Sequence, residues 1–374
     1  MTSFRYVIIG AGFAGASTAY HLARRGVKEI LILEQEKVAG VHSSGRNASM
    51  IRQVVPEPAL IPLTGEGASF LRSLPADWPL PVSFQQNGSL LLGSGEGWRR
   101  LERDAETARQ AGIEVENWSR ERARDYVPVL KDADFEGAIW CPTDGVVDIH
   151  ALLSGYLKGA TSLGVQIRYG CAMQRVEVEN GRVVGVLTSD GMTRAEVVVN
   201  AAGPWAAVVG KMAGAVDVRL RPCRRHLFLT VLLPWADPRW PFVWHDAHGF
   251  YFRPDSGGLL LCPCDQDEMT PGDPPTDNRI AELLAEKIRQ HFPAISDVAI
   301  RKSWAGLRTL SPDGRFVIGW DPKVRGFFWV AGLGGHGVTT STSVGNLAAS
   351  LILDPDNRRG EPFSPERFLV TTGR

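Results

Sequence analysis

A glycine triplet near the N-terminus constrains the fold of this chain more than any other feature. The apolar run YVII at residues 6–9 is followed by GAGFAG at residues 10–15 and then by an amphipathic run that ends at Gly26. A second apolar run at residues 30–33 leads to Glu34, nineteen residues beyond the last glycine of the triplet. This spacing predicts a strand, a tight turn, a helix and a second strand, which together form a dinucleotide-binding βαβ unit.

The small residues of the turn each have a physical role in such a unit. Gly10 permits the sharp turn, Gly12 lets a pyrophosphate lie against the backbone, and Gly15 lets the helix pack closely on the strand. The phosphates would lie at the helix N-terminus, where free N–H groups and the dipole favour negative charge. Glu34 would accept hydrogen bonds from ribose hydroxyls and would repel the 2′-phosphate of NADP. FAD and NAD share this cradle, so both remain open at this point. The predicted contacts are Gly10, Gly12, Phe13, Ala14, Gly15, Glu34 and Gln35.

Composition narrows the class of protein further. The 374 residues have 44% hydrophobic content, which is enough for two domains with their own cores. Lys+Arg and Asp+Glu both number 41, and this balance argues against nucleic acid or an acidic membrane as the main partner. No apolar stretch reaches about eighteen residues, and the chain starts directly with a core strand. We therefore expect no transmembrane segment, no signal peptide and a cytoplasmic location.

The cysteines do not predict a disulfide framework or a metal site. Five cysteines are scattered along the chain, which suits reduced thiols. Only Cys262 and Cys264 are close in sequence. We interpret this pair as two residues at the end of a strand rather than as a metal or redox pair.

Two stretches of the chain have a different pattern from the N-terminus. Residues 48–144 are interrupted by prolines and predict helices at 63–74 and 96–111, with a hairpin centred on Asn87-Gly88. Residues 216–310 predict a mostly antiparallel sheet of short strands, with one helix at 277–292. Both stretches are predicted to belong to a second domain.

The remaining segments return to the α/β pattern. Asp148 is a predicted helix N-cap, and Asn180-Gly181 predicts a hairpin turn. A buried strand at 196–200 runs into the small residues AAGPW, and a doubly wound sheet admits ligands at such carboxyl ends. Near the C-terminus, a strand at 326–331 leads through a second glycine-rich junction into a helix, so that backbone N–H groups face an electron-rich group.

A loop of small residues, HSSGRNA at 42–48, follows Glu34. With the glycine triplet, it resembles the start of the D-amino-acid-oxidase-like (DAO) family of FAD-dependent oxidoreductases, most closely D-arginine dehydrogenase and the glycine and sarcosine oxidases. In that family the loop runs along the flavin and the pyrophosphate, and the C-terminal glycines close over the pyrimidine edge of the flavin. An NAD dehydrogenase needs no second cradle, so the predicted cofactor is FAD. The resemblance implies further FAD contacts at His42, Ser43, Ser44, Arg46, Asn47, Ala48, Val176, Ala201, Gly203, Trp205, Gly306, Gly332, Gly334, Gly335, Gly337, Val338 and Thr339.

The predicted fold class is mixed α/β and α+β with two domains. The resemblance implies a glutathione-reductase-type Rossmann domain for FAD, formed by residues 1–47, 145–215 and 311–374. Residues 48–144 and 216–310 would form an antiparallel-sheet domain that binds the substrate. Neither domain is continuous in sequence.

The resemblance also implies a carboxylate clamp. Segment 303–309 matches the arginine-bearing strand of the family and segment 250–254 its tyrosine-bearing strand, so Arg308 is the predicted clamp and Tyr251 a second donor. Arg225 matches a second arginine of the D-arginine dehydrogenase pattern, although Arg224 could face inward instead. The other predicted site residues are Gly335, whose neighbouring carbonyls would bind the amine, His336 and Met50.

Several positions depart from the family pattern. Met50 and a residue near Val55 replace polar pocket residues of D-arginine dehydrogenase, so arginine is not the expected substrate. Gly306 stands where monomeric sarcosine oxidase has its flavin-linking cysteine, and the sequence around His42 is that of members with non-covalent FAD. Leu260 stands at the position of an oxygen-activating lysine, which favours a dehydrogenase over an oxidase.

The predicted function is FAD-dependent oxidation of the amine of an amino acid or N-substituted glycine. Hydride would pass to flavin N5, and water would hydrolyse the imine. Two alternatives remain open, namely a 2-hydroxy-acid dehydrogenase and a non-catalytic FAD-binding subunit of an amine oxidoreductase. The electron acceptor also remains open. The candidates are oxygen, a quinone and an electron-transfer protein.

Overall fold

The computed structural model describes residues 2–369. The strands are β1 (Thr2–Ile9), β2 (Ile30–Leu33), β3 (Met50–Ile51), β4 (Phe84–Gln85), β5 (Ser89–Gly93), β6 (Glu116–Ser119), β7 (Gly137–Cys141), β8 (Gly145–Val147), β9 (Gln166–Arg168), β10 (Met173–Glu179), β11 (Arg182–Thr188), β12 (Gly191–Asn200), β13 (Arg221–Thr230), β14 (Phe242–His245), β15 (Phe250–Asp255), β16 (Gly258–Cys262), β17 (Ile300–Leu310), β18 (Val317–Trp320) and β19 (Phe327–Ala331). The α-helices are α1 (Phe13–Arg24), α2 (Ile61–Arg72), α3 (Gly95–Gln110), α4 (Arg120–Tyr126), α5 (Ile149–Ser162), α6 (Ala206–Ala213), α7 (Asn278–His291) and α8 (Ser341–Leu353). Short 3₁₀ helices are Pro58–Leu60, Pro128–Leu130, Gly203–Trp205, Pro293–Ile295, Arg358–Phe363 and Pro365–Phe368.

The first sheet has a parallel centre. β1 pairs in parallel with β2 and with β12, β2 pairs with β9, and β12 pairs with β19. β18 and the hairpin β10–β11 extend this sheet in antiparallel fashion. Because parallel strands end at the same edge, the residues that follow β1, β2, β12 and β19 lie at one edge of the sheet. These residues are Gly10, Glu34, Ala201 and Gly332.

Burial on both faces explains the unbroken apolar runs of these strands. Tyr6 and Ile8 of β1 pack in a core with α1, α5 and α8, whereas Val7 and Ile9 pack in a second core with α6. Helices α1 and α8 pack so closely that a Cβ on Gly345 of α8 would lie 2.1 Å from Ser17 Oγ of α1. The helices therefore hold β1 and the turn that follows it from one side.

The second sheet runs in the order β17-β13-β16-β15-β14-β5-β7-β6, and all of its pairs are antiparallel except β14 with β5. Helix α7 buries Leu284 and Ile288 against this sheet. A third, small sheet runs in the order β3-β8-β4. The antiparallel sheet predicted for residues 216–310 is therefore present, with strands from the 48–144 segment added at one side.

The sheets support the proposed division of the chain. Strands of the first sheet come from the segments 1–47, 145–215 and 311–374, and strands of the second from 48–144 and 216–310. The small sheet joins the two groups, because β8 pairs with β3 and β4. Residues 1 and 370–374, which the proposed outer boundaries include, lie outside the described residues.

The hairpin predicted around Asn87-Gly88 is wrong. β4 pairs with β8 of the small sheet, while β5 pairs with β7 and β14 of the second sheet. Gly88 has φ +76°, as the turn signal requires, but its N–H donates to Asp144 O at 3.0 Å and a Cβ would lie 2.1 Å from the Trp140 ring. The turn therefore moves the chain from one sheet to another instead of pairing its flanking strands.

Helix α3 is the longest α-helix among the described residues, with 16 residues, and buries only one face through Leu101, Ala105 and Ala108. Charged side chains cover much of its other surface, as expected for a helix that packs on a sheet. In the part of the chain that the structure describes, no helix has both the length and the apolar character needed to span a membrane.

Asp144 holds the turn between β7 and β8 together. Its Oδ1 accepts the Gln53 N–H at 3.0 Å and Gln53 Nε2 at 2.9 Å, and its Oδ2 accepts the Ser89 hydroxyl at 2.7 Å. The side chain is fully buried. Burial raises the pKa of Asp144 to about 6, although the hydrogen bonds from Gln53 and Ser89 oppose this rise.

We expect Asp144→Asn to alter the pH dependence of stability. In the native protein, the pKa of Asp144 is higher in the folded state than in the unfolded state. The free energy of unfolding of the native protein should therefore fall as pH rises from about 4 to about 6 and stay level above that. A shift of this size corresponds to roughly 2–3 kcal/mol. Denaturation of the FAD-loaded variant between these pH values should lack this slope, whereas exposed Asp297→Asn should keep it. An unchanged slope in Asp144→Asn would contradict the assignment.

Candidate active site

The turn after β1 brings separate segments into close contact. Gly10 has φ +103°, and a Cβ there would lie 2.6 Å from Ala201 O. A Cβ on Gly15 would lie 2.0 Å from the Gly10 carbonyl oxygen, so α1 packs directly on the turn. Gly12 has an ordinary φ of −74°, but a Cβ there would lie 2.9 Å from Ser44 Oγ. Close approach, rather than backbone conformation, explains glycine at positions 12 and 15.

Two side chains bind the backbone N–H groups of this turn. Ser44 Oγ accepts the Phe13 N–H at 3.1 Å. Glu34 Oε2 accepts the Ala11 N–H at 2.9 Å, and its Oε1 accepts the Glu36 N–H at 3.0 Å. A carboxylate has about four acceptor positions, so Glu34 can also bind ribose hydroxyls. Glu34 therefore fastens the turn to β2 as well as facing the nucleotide site.

A first cavity opens at the carboxyl edge of the first sheet. Glu34 and His42 line it, and the His42 Nε2 lies 2.8 Å from Glu36 Oε1. The His42 ring contacts Trp205 edge to face at 4.7 Å, and its buried Nδ1 has no hydrogen-bond partner. The predicted residues in this wall are Gly10, Gly12, Glu34, Gln35, His42, Ser43, Ser44, Ala201, Gly203 and Trp205.

A second cavity lies between the first sheet and the second. Arg225, Tyr251 and Arg308 reach it from β13, β15 and β17 of the second sheet. The glycines after β19 form the opposite wall. The predicted residues in this wall are Gly12, Phe13, Ala14, Ser43, Ser44, Arg46, Asn47, Ala48, Met50, Ala201, Gly203, Arg225, Tyr251, Gly306, Arg308, Gly332, Gly334, Gly335, Gly337 and Val338.

The two cavities meet at the N-terminus of α1. Residues that line both are Gly12, Ser43, Ser44, Ala201 and Gly203. The N-cap residue Gly12 has no side chain and Ser44 occupies only the Phe13 N–H, so the following N–H groups of the first turn can bind an anion. An extended dinucleotide would fit this shape: the residues of the first cavity would hold the adenosine, the N-terminus of α1 the pyrophosphate, and the residues of the second cavity the flavin. The residues present therefore fit FAD.

Four predicted site residues do not line either cavity. Gly15 packs α1 on the turn, as predicted from its position. Val176 is buried in the core below the first cavity, and Cys171 and Met173 of the same region line that cavity instead. Thr339 Oγ1 accepts the Arg52 N–H at 3.1 Å, and His336 lies beside the glycine wall.

Of the two neighbouring arginines on β13, Arg224 is the one that turns away from the cavity. It forms ion pairs with Asp267 and Asp277.

The Arg308 guanidinium makes no hydrogen bond or ion pair with any other part of residues 2–369, although it lines the second cavity. A Cβ on Gly335 would lie 3.0 Å from Arg308 Nη1, so these two residues are in contact. Tyr251 is buried and stacks on Trp244 with ring centroids 4.7 Å apart. Arg225 is 7% exposed, and its Nη2 donates to Gln266 Oε1 at 3.2 Å. Two cations and a phenol thus face one cavity.

A family comparison agrees with this geometry. Residues 5–351 match the family model described as DAO, FAD dependent oxidoreductase. The chain belongs to the DAO family. Its cofactor is therefore FAD, and the predicted family and cofactor are confirmed.

Curated relatives include two amine-oxidising members of the DAO family. The chain is 27% identical over 365 residues to 4-methylaminobutanoate oxidase (formaldehyde-forming) of Paenarthrobacter nicotinovorans, covering 94% of this chain and 44% of that protein. It is 29% identical over 323 residues to sarcosine oxidase subunit beta of Rhizobium meliloti (strain 1021), covering 83% of this chain and 76% of that protein. The chain thus spans less than half of the first relative.

Solved structures of the DAO fold superpose over nearly the whole chain. L-proline dehydrogenase from P. horikoshii has a TM-score of 0.89 at 24% identity, with 98% of each chain covered. Glycine oxidase from Geobacillus kaustophilus has a TM-score of 0.83 at 23% identity, with 97% of this chain and 98% of that chain covered. The predicted two-domain fold class is therefore confirmed.

In this DAO-family site, His336 is a neutral imidazole. Burial, together with the charges of the Arg52 and Arg308 guanidinium groups, lowers the pKa of His336 to about 3. The ring therefore stays uncharged across the physiological range. An imidazole with this pKa is also too weak a base to remove a proton from the ammonium group of a substrate.

We expect His336→Asn to leave the pH profile of kcat/KM between about pH 5 and 9 unchanged in shape, because His336 does not titrate there. Its activity should change by less than about threefold, since the side chain lies outside the cavity lining. Steady-state rates across this range check the expectation. Loss of an inflection in the variant would show that His336 does titrate during turnover.

Sequence reasoning missed Arg52. Its Nε donates to Val54 O at 2.8 Å, and its guanidinium lies 4.7 Å from the centre of the Trp244 ring. Burial lowers the pKa of Arg52, with Asp246 and Asp144 opposing that effect. A single arginine inside the apolar run at residues 50–55 was the available signal. Because Trp244 stacks on Tyr251, Arg52 helps to fix the position of that phenol.

Proposed function

We propose that this DAO-family protein oxidises the amine of an amino acid or of an N-substituted glycine. Bound FAD supplies hydride acceptance at flavin N5 in such a reaction, and water hydrolyses the imine product. The names of the two relatives give 4-methylaminobutanoate and sarcosine as their substrates, and both compounds are amines. These names support an amine as the substrate of this protein. Because the chain spans only 44% of the first of them, the substrate class is part of the proposal.

The free guanidinium of Arg308 carries this proposal. Arg308 is partly buried, and its guanidinium would lose water when a ligand fills the cavity. A carboxylate from the ligand would compensate the charge. A guanidinium can hold a carboxylate through two parallel hydrogen bonds, which also fixes its orientation. Arg308 would thus bind the carboxylate of the substrate, with Tyr251 as a second donor at the same cavity wall.

The amine end of the substrate would lie near Gly335, which contacts Arg308. The reacting amine must be neutral for its lone pair to assist oxidation, and backbone carbonyls beside Gly335 would accept its hydrogen bond. No side-chain base is required in this arrangement. His336, with its pKa lowered to about 3 by burial, does not provide one at neutral pH.

We also propose non-covalent FAD and an acceptor other than oxygen. Gly306 lies against the backbone of Arg46, where a Cβ would be 2.7 Å from the Arg46 oxygen, so this position offers no linking side chain. Leu260 is buried among Leu227, Tyr251 and Cys262 and offers no cation to activate oxygen. Acid precipitation that leaves the flavin in solution, and slow reoxidation in air, would support these two proposals.

Anaerobic flavin reduction tests the function directly. The FAD-loaded protein is mixed with D- and L-amino acids, N-methylated glycines and 2-hydroxy acids, and the oxidised flavin band at ~450 nm is followed. We expect bleaching by an amine-bearing acid and none by the hydroxy acid of the same skeleton. Bleaching by hydroxy acids alone would identify a 2-hydroxy-acid dehydrogenase. A yellow protein that no compound reduces would instead support a non-catalytic FAD-binding subunit.

A further inference from the structure

Arg225 is a buried cation at the second cavity that has no anionic partner. It is 7% exposed and lines the cavity. Its Nη2 donates to the neutral amide oxygen of Gln266 at 3.2 Å, and its buried Nε and Nη1 have no hydrogen-bond partner. Among residues 2–369, Arg225 forms no ion pair. A buried guanidinium in this state is costly, so an anion that enters the cavity would stabilise it.

The sheet places Arg225 on the same face as Arg308. In the antiparallel pair of β13 and β17, Arg225 lies opposite Gly306, and Cys223 lies opposite Arg308. Residues directly opposite each other share a face of the sheet, and so do residues two apart on one strand. Arg225 and Arg308 are therefore diagonal neighbours, a relationship that separates two residues by about 7–8 Å. Both guanidinium groups can thus reach one ligand.

Contacts on opposite sides of β13 hold the two guanidinium groups apart. β17, which carries Arg308, pairs with one edge of β13. The segment after β16, which carries Gln266, runs along the other edge. Arg308 lies against Gly335 on the opposite wall of the cavity, whereas Arg225 is bound to Gln266. The two cations therefore occupy two positions instead of converging on one.

The charged residues that line the second cavity are all cations. The lining includes three arginines, Arg46, Arg225 and Arg308, and no aspartate or glutamate of the described residues. Arg46 is already paired with Asp273. Burial raises the pKa of Tyr251 above that of an ordinary phenol, which is about 10, so Tyr251 is neutral. The oxidised isoalloxazine ring of FAD is uncharged as well. Two positive charges therefore remain for a ligand.

The carboxylates just outside the lining are engaged elsewhere. Asp265 accepts the His226 N–H at 2.9 Å and lies 2.7 Å from His226 Nδ1. Asp267 forms an ion pair with Arg224 at 2.9 Å. In the part of the chain that the structure describes, neither carboxylate bonds to Arg225. A ligand is therefore the remaining source of a carboxylate for Arg225.

We propose that the substrate carries two carboxylates, one bound by Arg308 and the other by Arg225. The substrate is then an amino acid with an acidic side chain or a glycine with an acidic N-substituent. A cationic substituent would meet a like charge, and a neutral one would leave the Arg225 guanidinium buried and unpaired. Arg225 is thus a specificity-determining residue. This inference rests on the proposed function, which assigns the first carboxylate to Arg308.

Matched acids and amides test the proposal, because the amide keeps the size of the acid and removes one charge. The FAD-loaded protein is mixed anaerobically with the D- and L-forms of glutamate, glutamine, aspartate and asparagine, and with iminodiacetate and its monoamide. The second-order rate constant of flavin reduction is measured for each compound. We expect the acid of at least one pair to exceed its amide by about tenfold or more, since the amide leaves Arg225 without an anion.

Variants of Arg225 connect this preference to the residue. Arg225→Met removes the charge and should bring the acid-to-amide ratio to within about threefold of one, whereas Arg225→Lys keeps a cation and should retain part of the preference. Arg221→Met is the matched control, because Arg221 lies on the same strand but is exposed. This control should keep the native ratio.

The outcomes separate this proposal from the proposed function. A native acid-to-amide ratio in Arg225→Met would show that Arg225 does not bind the second carboxylate. Amides or neutral amino acids that reduce the native flavin as fast as the acids would also overturn the proposal, while the proposed function would stand. A native flavin that no amine in the screen reduces would overturn the proposed function itself.

Binding to the native protein provides a test that needs no variant. Isothermal calorimetry of the oxidised FAD-loaded protein compares succinate with its half-amide succinamate, neither of which has an amine to be oxidised. We expect succinate to bind at least about tenfold more tightly at low salt, because only succinate can pair with both arginines. Equal dissociation constants, or no binding by either compound, would show that the cavity has no second carboxylate position.

Discussion

Arg308→Met is expected to lower kcat/KM for the amino-acid substrate by roughly 10²–10³-fold. Truncating one partner of a buried, hydrogen-bonded charge pair costs about 2–5 kcal/mol, and each 1.4 kcal/mol is tenfold in a rate or binding constant. Methionine keeps much of the volume of the side chain and removes the charge that faces the cavity. Steady-state kinetics of the FAD-loaded variant, with anaerobic flavin reduction as a second measurement, check this expectation.

The matched control lies on the same strand. Arg301 is also on β17, but its side chain is exposed, so Arg301→Met should leave kcat/KM within about twofold. The flavin content of both variants should equal that of the native protein, because the change concerns the substrate. If Arg308→Met and Arg301→Met behave alike, the carboxylate does not bind Arg308, and the proposed function loses its main support.

Gly12→Ala is expected to weaken FAD binding by roughly 10–100-fold. The new Cβ would lie 2.9 Å from Ser44 Oγ, which must move and release its hydrogen bond to the Phe13 N–H. Such overpacking typically costs about 1–3 kcal/mol. The methyl group would also lie where the two cavities meet, which is where we expect the pyrophosphate to bind. Flavin stoichiometry after purification and titration of the apoprotein with FAD measure the effect.

Gly272→Ala is the control for this substitution. A Cβ on Gly272 has no heavy atom within 4 Å, so FAD binding should match the native protein. The φ of Gly12 is −74°, which alanine adopts without strain, so the Gly12→Ala variant should still fold. A Gly12→Ala protein that retains FAD with native affinity would show that the pyrophosphate does not lie against this turn.

The nucleotide-binding half of the site was predictable because its signals are local. A tight turn, a close helix and an acidic residue at the end of the second strand require particular residue types at fixed spacing, and Gly10, Gly15 and Glu34 show that pattern. The hairpin turn at Asn180-Gly181 was predictable for the same reason, since both residues adopt positive φ and join β10 to β11. These features depend on backbone conformation and close packing within short stretches of the chain.

The Asn87-Gly88 turn shows the limit of such signals. The turn forms, but β4 pairs with β8 of the small sheet, whereas β5 pairs with β7 and β14 of the second sheet. Local sequence determines that the chain turns, whereas the choice of partner depends on the whole packing arrangement. The pairing of Cys262 with Tyr251 is similar, because only the register of β15 against β16 brings these two residues opposite each other.

The amino-acid sequence by itself determined that this chain binds a dinucleotide through a βαβ unit. Its resemblance to the DAO family identified FAD and predicted Arg308 as the carboxylate clamp. Those conclusions need only residue types at short spacing. The tertiary structure decided which of Arg224 and Arg225 faces the cavity, and it placed Arg225, Tyr251 and Arg308 on one cavity wall. These outcomes depend on the register of β13, β16 and β17, because a shift of one residue turns every side chain of a strand to the opposite face.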